Sequence, residues 1–493
     1  ASNVIIRLCN MGACDSHTLE LCEKNKPFVQ YLEQWKGITD KIFIWDYFNN
    51  FHHYFQPYPN LDKIASDIPF YVANNVKGIM CQLDASPTKG CGDMVELRGY
   101  MLTRLMWDHT RDGWSIADEF CNLYYGSAGE IIREYLNHLQ KTPRTDSSCH
   151  FSLYNTLSHP MFTKEWIERA VMLFNEAEKK TEDNPVIYDR VKAARLPIDY
   201  LIWKTNMRIS VRDDRMEPDK SSPVQLAKSF FQRAKAHGAK ALREGGTDIN
   251  NEEHLMDPVP LCFISGKNIK IKIAPSLGGR IVSLRDSENT EWLKLPDPSD
   301  LDFPASGGYE EYSELKWRSP GWCENYSCVT TINSVSLKTQ LSNGLIMERT
   351  YTITEKADKT ILAIKTTLTN ASSKETDAVI RSHPVFSSKD WSSASIEIKK
   401  ADGSVSSIAP WKASDTSSGS MWLENNEKPD GEWSLINGNT KLTIKFKQEE
   451  VWKCLLDWNI AASVLNMELF GTQVTLKPSQ SISLSQEWSV TCF

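Results

Sequence analysis

The first 150 or so residues alternate short apolar runs with stretches of helical periodicity. Asn3 to Leu8, Lys41 to Trp45 and Val76 to Met80 are rich in Ile and Val, as expected of parallel strands covered on both faces. Between them Lys26 to Gln34 reads as helix. So does Leu61 to Asn74, where Leu61, Ile64, Ile68 and Tyr71 recur at three- to four-residue spacing. Asp93 to Trp107 predicts a further, largely buried helix. This is a βαβαβ pattern. With about three strands visible against the eight of a closed (β/α)8 barrel, it is either a small α/β domain or part of a TIM-like barrel.

The period then changes twice. From about residue 156 to 247 it is helical: Ile167, Ala170, Val171, Phe174 and Ala177 share a face, and Val191 to Trp203 forms a second helix kinked or begun near Pro197. A third is expected to open with Ser222 as N-cap and Pro223 at its first position, and to stop at Gly245. From about 256 onward apolar and polar residues alternate, as in Lys270 to Ile273, Ser334 to Thr339, Thr350 to Ile353, Ile361 to Leu368, Ser395 to Ile398, Lys441 to Lys445 and Ser481 to Trp488. Ala413 to Ser420 reads as a surface loop. The expectation is a multidomain α/β + α + β chain: residues 1–150 as a small α/β domain or part of a TIM-like barrel, 151–255 as a helical domain, and 256–493 as a large antiparallel β-sandwich.

Composition narrows the partners. The 493 residues carry 56 basic against 63 acidic side chains, a formal charge of -7 with no basic run, which leaves nucleic acid little to bind. No stretch approaches the roughly 18 uninterrupted apolar residues of a membrane helix, so no membrane span is expected. Sixteen Trp and sixteen Tyr supply flat rings with a polar edge, which suit sugar rings as well as cores. Twelve cysteines, together with a chain that starts at Ala, lead us to expect a processed protein of an extracellular or periplasmic compartment, with disulfides or buried thiols. Cys9, Cys14 and Cys22 with His17 between them match no zinc spacing and leave a fourth ligand unassigned, so disulfide or buried thiol is favoured over metal there. No phosphate cradle, G-x-S-x-G elbow or H-E-x-x-H helix occurs, and no cofactor is implied.

In parallel α/β sheets ligands meet the carboxyl ends of strands. One such end is dense in rings and polar groups: Trp45, Asp46 and Tyr47, followed by His52, Tyr54 and Tyr58. The next strand is followed by Cys81, Gln82 and Asp84, then Asp93 and Glu96. An acid among Trp and Tyr suits a saccharide, because the carboxylate accepts hydroxyl hydrogen bonds while rings stack on the C–H face. Asp46 and Glu96 are therefore the candidate catalytic pair, with Trp45, Tyr47, His52, Tyr54, Tyr58, Gln82 and Asp93 as candidate substrate contacts. The plainer alternative makes Asp46 a turn cap amid core aromatics, and Asp93 an N-cap with Glu96 as its capping-box partner. His52 and the adjacent His53 point to opposite faces of an extended chain and make a poor chelating pair.

Several spaced motifs resemble the DUF4838 domain. They are Trp45-Asp46-Tyr47 through Pro57-Tyr58-Pro59-Asn60-Leu61, Asn75 to Ile79, Glu96-Leu97-Arg98-Gly99-Tyr100, Leu105-Met106-Trp107-Asp108, and Glu119-Phe120 with Tyr124-Tyr125-Gly126, covering roughly residues 1 to 140. That family includes glycoside hydrolase family 163 endo-β-N-acetylglucosaminidases of bacteria. The resemblance implies a (β/α)8 barrel, secretion, and hydrolysis of β-linked N-acetylglucosamine in an oligosaccharide or glycoprotein glycan, with the substrate's acetamido group as nucleophile. The similarity starts well inside the family's catalytic domain, leaving out its first strands, and Cys81 stands where family members often carry an acid. The C-terminal part is similar to the galactose-mutarotase-like supersandwich through Leu277-Gly278-Gly279-Arg280-Ile281, Glu348 to Tyr351, Thr369-Asn370, His383-Pro384-Val385-Phe386 and Glu468-Leu469-Phe470-Gly471. There the resemblance makes His383 and Glu468 the proton-transfer pair. The segment from Tyr309-Glu310-Glu311-Tyr312 to Trp317, Arg318 and Trp322 either lines a sugar groove or covers the sheet. Three functional readings follow: a secreted glycosidase, a degenerate carbohydrate-binding protein, and an aldose epimerase housed in the sandwich.

Overall fold

The computed structural model describes residues 4–83, 92–246, 249, 253, 256–298, 300, 303, 306–357, 359–388, 390–412 and 417–492. Asp84 and part of the expected 413–420 loop lie outside them. The chain forms two compact units, one of Ala1–Met207 with Lys220–Met256, the other of Arg208–Asp219 with Asp257–Phe493.

In the first unit, strand Ile42–Tyr47 lies between Ile6–Cys9 and Val76–Gln82, all parallel. Ile42 and Ile44 are fully buried with Leu19, Leu32 and Tyr71, which is why this run is apolar without alternating. These three strands are the parallel sheet among the described residues, and the further strands that would close a barrel are not among them. Helices Lys26–Lys36, Leu61–Ala73 and Val95–Trp107 accompany the sheet; Gly113–Tyr125, Gly129–Thr145, Lys164–Thr181, Pro185–Ala194, Leu196–Asn206 and Val224–Ala236 follow among the described residues. Their starts have local causes. Asp112, Thr163 and Asn184 accept hydrogen bonds from the backbone N–H of Ser115, Trp166 and Ile187. Pro197, which has no N–H to give, sits in the first turn of a new helix, so the 191–203 stretch, expected to kink or begin near Pro197, divides at Arg195. The last helix begins one residue later than expected, at Val224, and ends at Ala236 before Gly238 rather than at Gly245. Residues 208–219, read as helical territory, instead give strands Ile209–Val211 and Arg215–Pro218, which pair with each other, the second pairing also with Val259–Pro260, all in the second unit.

The second unit is a sandwich of two antiparallel sheets. The eight-stranded sheet runs Ser418–Leu423, Val451–Asn459, Val464–Gly471, Arg381–Phe386, Gly308–Tyr312, Arg280–Asp286, Ile269–Ala274, Cys262–Ser265. The nine-stranded sheet runs Ser327–Thr330, Ser334–Gln340, Leu345–Glu355, Thr360–Asn370, Ser481–Cys492, Thr440–Phe446, Glu432–Asn437, Ser395–Lys399, Val405–Ile408. Every second side chain points between the sheets, where Trp292, Tyr309, Tyr351, Trp433 and Trp488 join a continuous Ile/Leu/Val core. Ser418 to Ser420 belong to an edge strand, not to a loop. Of the disulfides or buried thiols expected, the described residues hold thiols: their eleven cysteines are free, and Cys14, Cys22, Cys121, Cys149 and Cys454 are buried.

Candidate functional site

The acids expected to share a cleft in the first unit have different surroundings. Asp46 is fully buried at the end of its strand. Its Oδ1 accepts from Lys63 Nζ at 2.7 Å, the Tyr47 N–H at 2.8 Å and Asn10 at 3.3 Å, and its Oδ2 accepts from Tyr71 Oη at 2.8 Å. Both carboxylate oxygens are engaged within the chain and sealed from solvent, which sets Asp46 apart from an acid open to a sugar hydroxyl. Lys63, equally buried, also contacts Asp15 at 3.1 Å. Burial disfavours its charge, but Asp46, Asp15 and Asp67 outweigh that and hold the ammonium above its ordinary value, while burial pushes Asp15 up to about 6.

Glu96 is exposed on the first turn of helix Val95–Trp107, at a small cavity also lined by Tyr124, Arg190 and His237, which Asp46 does not line. The capping-box alternative does not hold: that helix is preceded by Met94 in a left-handed conformation, φ 48°, with no side-chain cap. The buried Asp93 carboxylate instead accepts from the Tyr58 N–H at 2.9 Å and pairs with Arg98, which also donates to the Tyr58 carbonyl and to Asn60. Tyr58 is buried and donates to Asp15 at 2.5 Å. Tyr54 is buried, its backbone bonded to Leu242 and Asp93. Trp45 donates to Gln82 at 2.9 Å and stacks on Tyr47, and His52 packs on Tyr154. The strand end is as aromatic as its sequence, but its aromatics and acids mostly engage one another.

A denser set of reactive groups lies on the eight-stranded sheet of the second unit, and strand register explains it. Glu310 is directly opposite His383 across an antiparallel pair, and Ser382 opposite Leu469 places Glu468 beside His383 on the next strand. Cross-strand partners share a face, so Glu310, His383 and Glu468 form one row over three strands. Their neighbours Glu311 and Ser382 point the other way, into the sandwich, where Glu311 pairs with Arg349 and Ser382 meets Gln486. Arg349 donates to the carbonyls of Gly278 and Gly279 at 2.9 and 3.2 Å. Gly278 has φ 73°, and a Cβ there would lie 2.0 Å from the Trp322 carbonyl oxygen; only glycine makes this turn, which delivers Arg280 to Glu310 on the row.

His383 Nδ1 lies 3.4 Å from Glu310 Oε1 and its Nε2 3.6 Å from Glu468 Oε1, yet neither ring nitrogen makes a hydrogen bond within the chain. Arg381 Nε donates to Glu468 Oε2 at 2.6 Å, and Tyr312 Oη donates to Glu310. Trp317 stands edge-on to the His383 ring, 4.6 Å between centroids, with about half its own surface exposed, and Arg318 lies over both Trp317 and Trp322. Burial, with Arg381, Arg318 and Arg280 nearby, holds His383 well below its ordinary value, so the imidazole is neutral. Burial pushes Glu468 up to about 7 and raises Glu310 as well. A neutral base beside an acid that still holds its proton near neutrality can move protons in both directions. His383 and Glu468 are the pair that the sequence resemblance names, and Glu310, Trp317 and Arg318 belong to the segment expected either to line a sugar groove or to cover the sheet; Arg381, which steadies Glu468, was missed, although it lies two residues before His383 and therefore on the same strand face.

Groups able to hold a metal ion lie in the first unit, where His150 joins Cys14, His17 and Cys22. The sequence reading stopped at three of these four.

Residues 1–137 match the family described as Domain of unknown function (DUF4838). No curated protein matches the chain. Among solved structures the chain is similar to the Slr1438 protein from Synechocystis sp. PCC 6803, at 11% identity over 47% of this chain and 96% of that one, with a TM-score of 0.38. It is similar also to a galactose mutarotase-like protein from Lactobacillus casei ATCC 334, at 14% identity over 47% and 100% of the two chains, TM-score 0.37. A galactose mutarotase-like protein from Clostridium acetobutylicum gives 13% identity over 48% and 96%, TM-score 0.36.

Proposed function

We propose that the protein acts on carbohydrate and that its C-terminal unit interconverts the anomers of an aldose. The single observation that carries this reading is the row of Glu310, His383 and Glu468, with both nitrogens of a neutral, buried His383 free of hydrogen bonds beside a carboxyl that keeps its proton near pH 7. The chemistry balances without a cofactor. His383 takes the proton of the anomeric hydroxyl, the C1–O5 bond breaks, and Glu468 gives its proton to O5, leaving the open-chain aldehyde. Rotation about C1–C2 and reversal of the same steps restore the ring as the other anomer and return both protons to where they began. Arg381 holds Glu468 in place, Arg280 and Tyr312 hold Glu310, and Trp317 offers a ring face to the sugar once it moves off His383. Polarimetry of freshly dissolved α-aldoses tests the reading: wild type accelerates mutarotation and His383→Ala does not. Sugar binding with unaccelerated mutarotation would make the unit a binding module instead.

A second reading puts glycan hydrolysis in the first unit, with an oligosaccharide or glycoprotein glycan as substrate and an extracellular or periplasmic setting. What favours it is Glu96, exposed at the cavity that Tyr124, Arg190 and His237 also line. In it Glu96 is the acid, Asp46 braces the strand end, and Trp45, Tyr47, His52 and Gln82 flank the glycan. Release of glycans from an N-glycoprotein, abolished by Glu96→Gln, is the expected result; equal release by that variant would remove Glu96 from the chemistry.

A further inference from the structure

We propose that Cys14, His17, Cys22 and His150 bind a zinc ion that ties the N-terminal loop to the segment following helix Gly129–Thr145. The four donor atoms converge from the N-terminal loop and from a residue 128 positions beyond Cys22, and all lie within 4.8 Å of one another. Cys14 Sγ is 3.2 Å from His17 Nδ1 and 3.2 Å from His150 Nδ1, and Cys22 Sγ is 3.9 Å from His150 Nδ1. A zinc tetrahedron with bonds of about 2.0–2.3 Å has edges of about 3.3–3.8 Å, so the observed spacings need shifts of only a few tenths of an ångström to about one ångström.

The surroundings are those of a ligand set rather than of a chance contact. His17 Nε2 lies 3.0 Å from the Pro143 carbonyl oxygen. A carbonyl only accepts, so Nε2 carries the hydrogen and Nδ1 turns its lone pair to the sulfurs, the arrangement that orients metal-bound imidazoles. Asn25, fully buried, latches the loop from behind: its Oδ1 accepts from the Cys14 N–H at 2.7 Å, and its Nδ2 donates to the carbonyls of Cys14 and His17 at 3.1 and 3.4 Å. The opposite wall is fixed independently, since Ser16 Oγ donates to the Cys149 carbonyl and accepts from the Phe151 N–H, while the Asp15 N–H donates to the Phe151 carbonyl. Cys14 and Cys22 are buried and the two imidazoles half-buried, which leaves an entry path.

The donor set selects the metal. Two sulfurs and two imidazole nitrogens in a tetrahedral cluster suit zinc, and four protein ligands close the sphere, so the site is structural. On binding, the two thiols lose one proton each to solvent while the imidazoles bind neutral, and two thiolates cancel the charge of the ion. A Cys14–Cys22 disulfide would instead use both sulfurs and leave two imidazole lone pairs facing each other. The position is consequential because Asp15, between Cys14 and Ser16, contacts the buried Lys63 and Tyr58.

The test uses the full chain, purified under reducing conditions from zinc-supplemented medium. Elemental analysis should give one zinc per chain. Chelation should lower the melting temperature, and refilling with Co(II) should produce the visible bands of a tetrahedral thiolate site. Cys22→Ser and His150→Gln should each lose stoichiometric metal, whereas Cys149→Ser, a neighbouring buried thiol outside the set, should keep it. Because a ligand variant could fail to fold, removal and Co(II) refilling are also read on the wild type. Metal-free folded wild type that takes up neither ion, a Cys14–Cys22 disulfide in the purified chain, or full zinc in the His150→Gln variant would each overturn the proposal.

Discussion

Replacing Asp46 with Asn separates a bracing carboxylate from an incidental one. Lys63 is sealed from water, with Asp46 at 2.7 Å and Asp15 at 3.1 Å as its anionic partners within salt-bridge reach. The substitution keeps shape and leaves an oxygen for Tyr71, but removes one of the two nearest negative charges from a buried ammonium. Breaking a buried pair costs about 3–5 kcal/mol, because the remaining charge lacks both water and partner. Asp15 stays, and with its competitor gone it ionises more readily beside Lys63, so the loss should fall at the lower end, about 3 kcal/mol. Urea unfolding of the full chain, followed by a probe in the first unit, should show that loss for Asp46→Asn. The double variant with Lys63→Met should recover most of it, since no uncompensated charge then remains. A loss below about 1 kcal/mol, or a double variant worse than the sum of the two single ones, would refute the assignment of Asp46 as the clamp on Lys63.

Three further outcomes follow. Between its ordinary 4.5 and about 7, Glu468 keeps its proton in the folded chain and sheds it in the unfolded one, so its contribution to stability falls as pH rises across that window. At about 1.4 kcal/mol per pH unit the fall is about 3 kcal/mol; His383, held neutral, slopes the other way below 6.5, so the measurement is the difference in unfolding free energy against pH between wild type and Glu468→Gln. A parallel pair of curves would contradict it. The sulfurs of Cys262 and Cys328 lie 3.0 Å apart on strands of different sheets, 66 residues apart in sequence. Mild oxidation should join them, raising stability by about 4 kcal/mol from the chain entropy of such a loop, read by non-reducing peptide mapping and a melting curve, with no change on Cys328→Ser. Gly278→Ala should destabilise the second unit by 2 kcal/mol or more on the order of magnitude of forced backbone strain, and it should slow any anomer exchange, because the turn it distorts carries Arg280; unaltered melting would contradict the close approach to Trp322.

How far the sequence led depended on what each strand faces. Strands with one wet side, such as Ser334–Gln340 and Leu345–Glu355, alternate and were legible. The strands that carry the candidate site, Gly308–Tyr312, Arg381–Phe386 and Val464–Gly471, are buried on both faces; the first two carry polar groups on both, Glu310 and His383 on one and Glu311 and Ser382 on the other, so they show neither alternation nor an apolar run. Their residues were found only through the resemblance to a known sandwich. In the first unit the dense strand end Trp45-Asp46-Tyr47 was visible. That Asp46 would be consumed by Lys63 was not, because Lys63 sits on a helix turn where a solvated lysine is the ordinary expectation. His150 was out of reach for a similar reason: its partners are 128 or more residues away, beyond any local spacing.

The central claim, that His383 and Glu468 move protons on a sugar, is tested most directly by two-dimensional exchange NMR on an aldose at equilibrium. Wild type should produce cross-peaks between the α and β anomeric protons at mixing times where the free sugar gives none, and Glu468→Gln, shown by circular dichroism to be folded, should abolish them. Equal exchange in the variant, or none in the wild type for any aldose that binds, would contradict it.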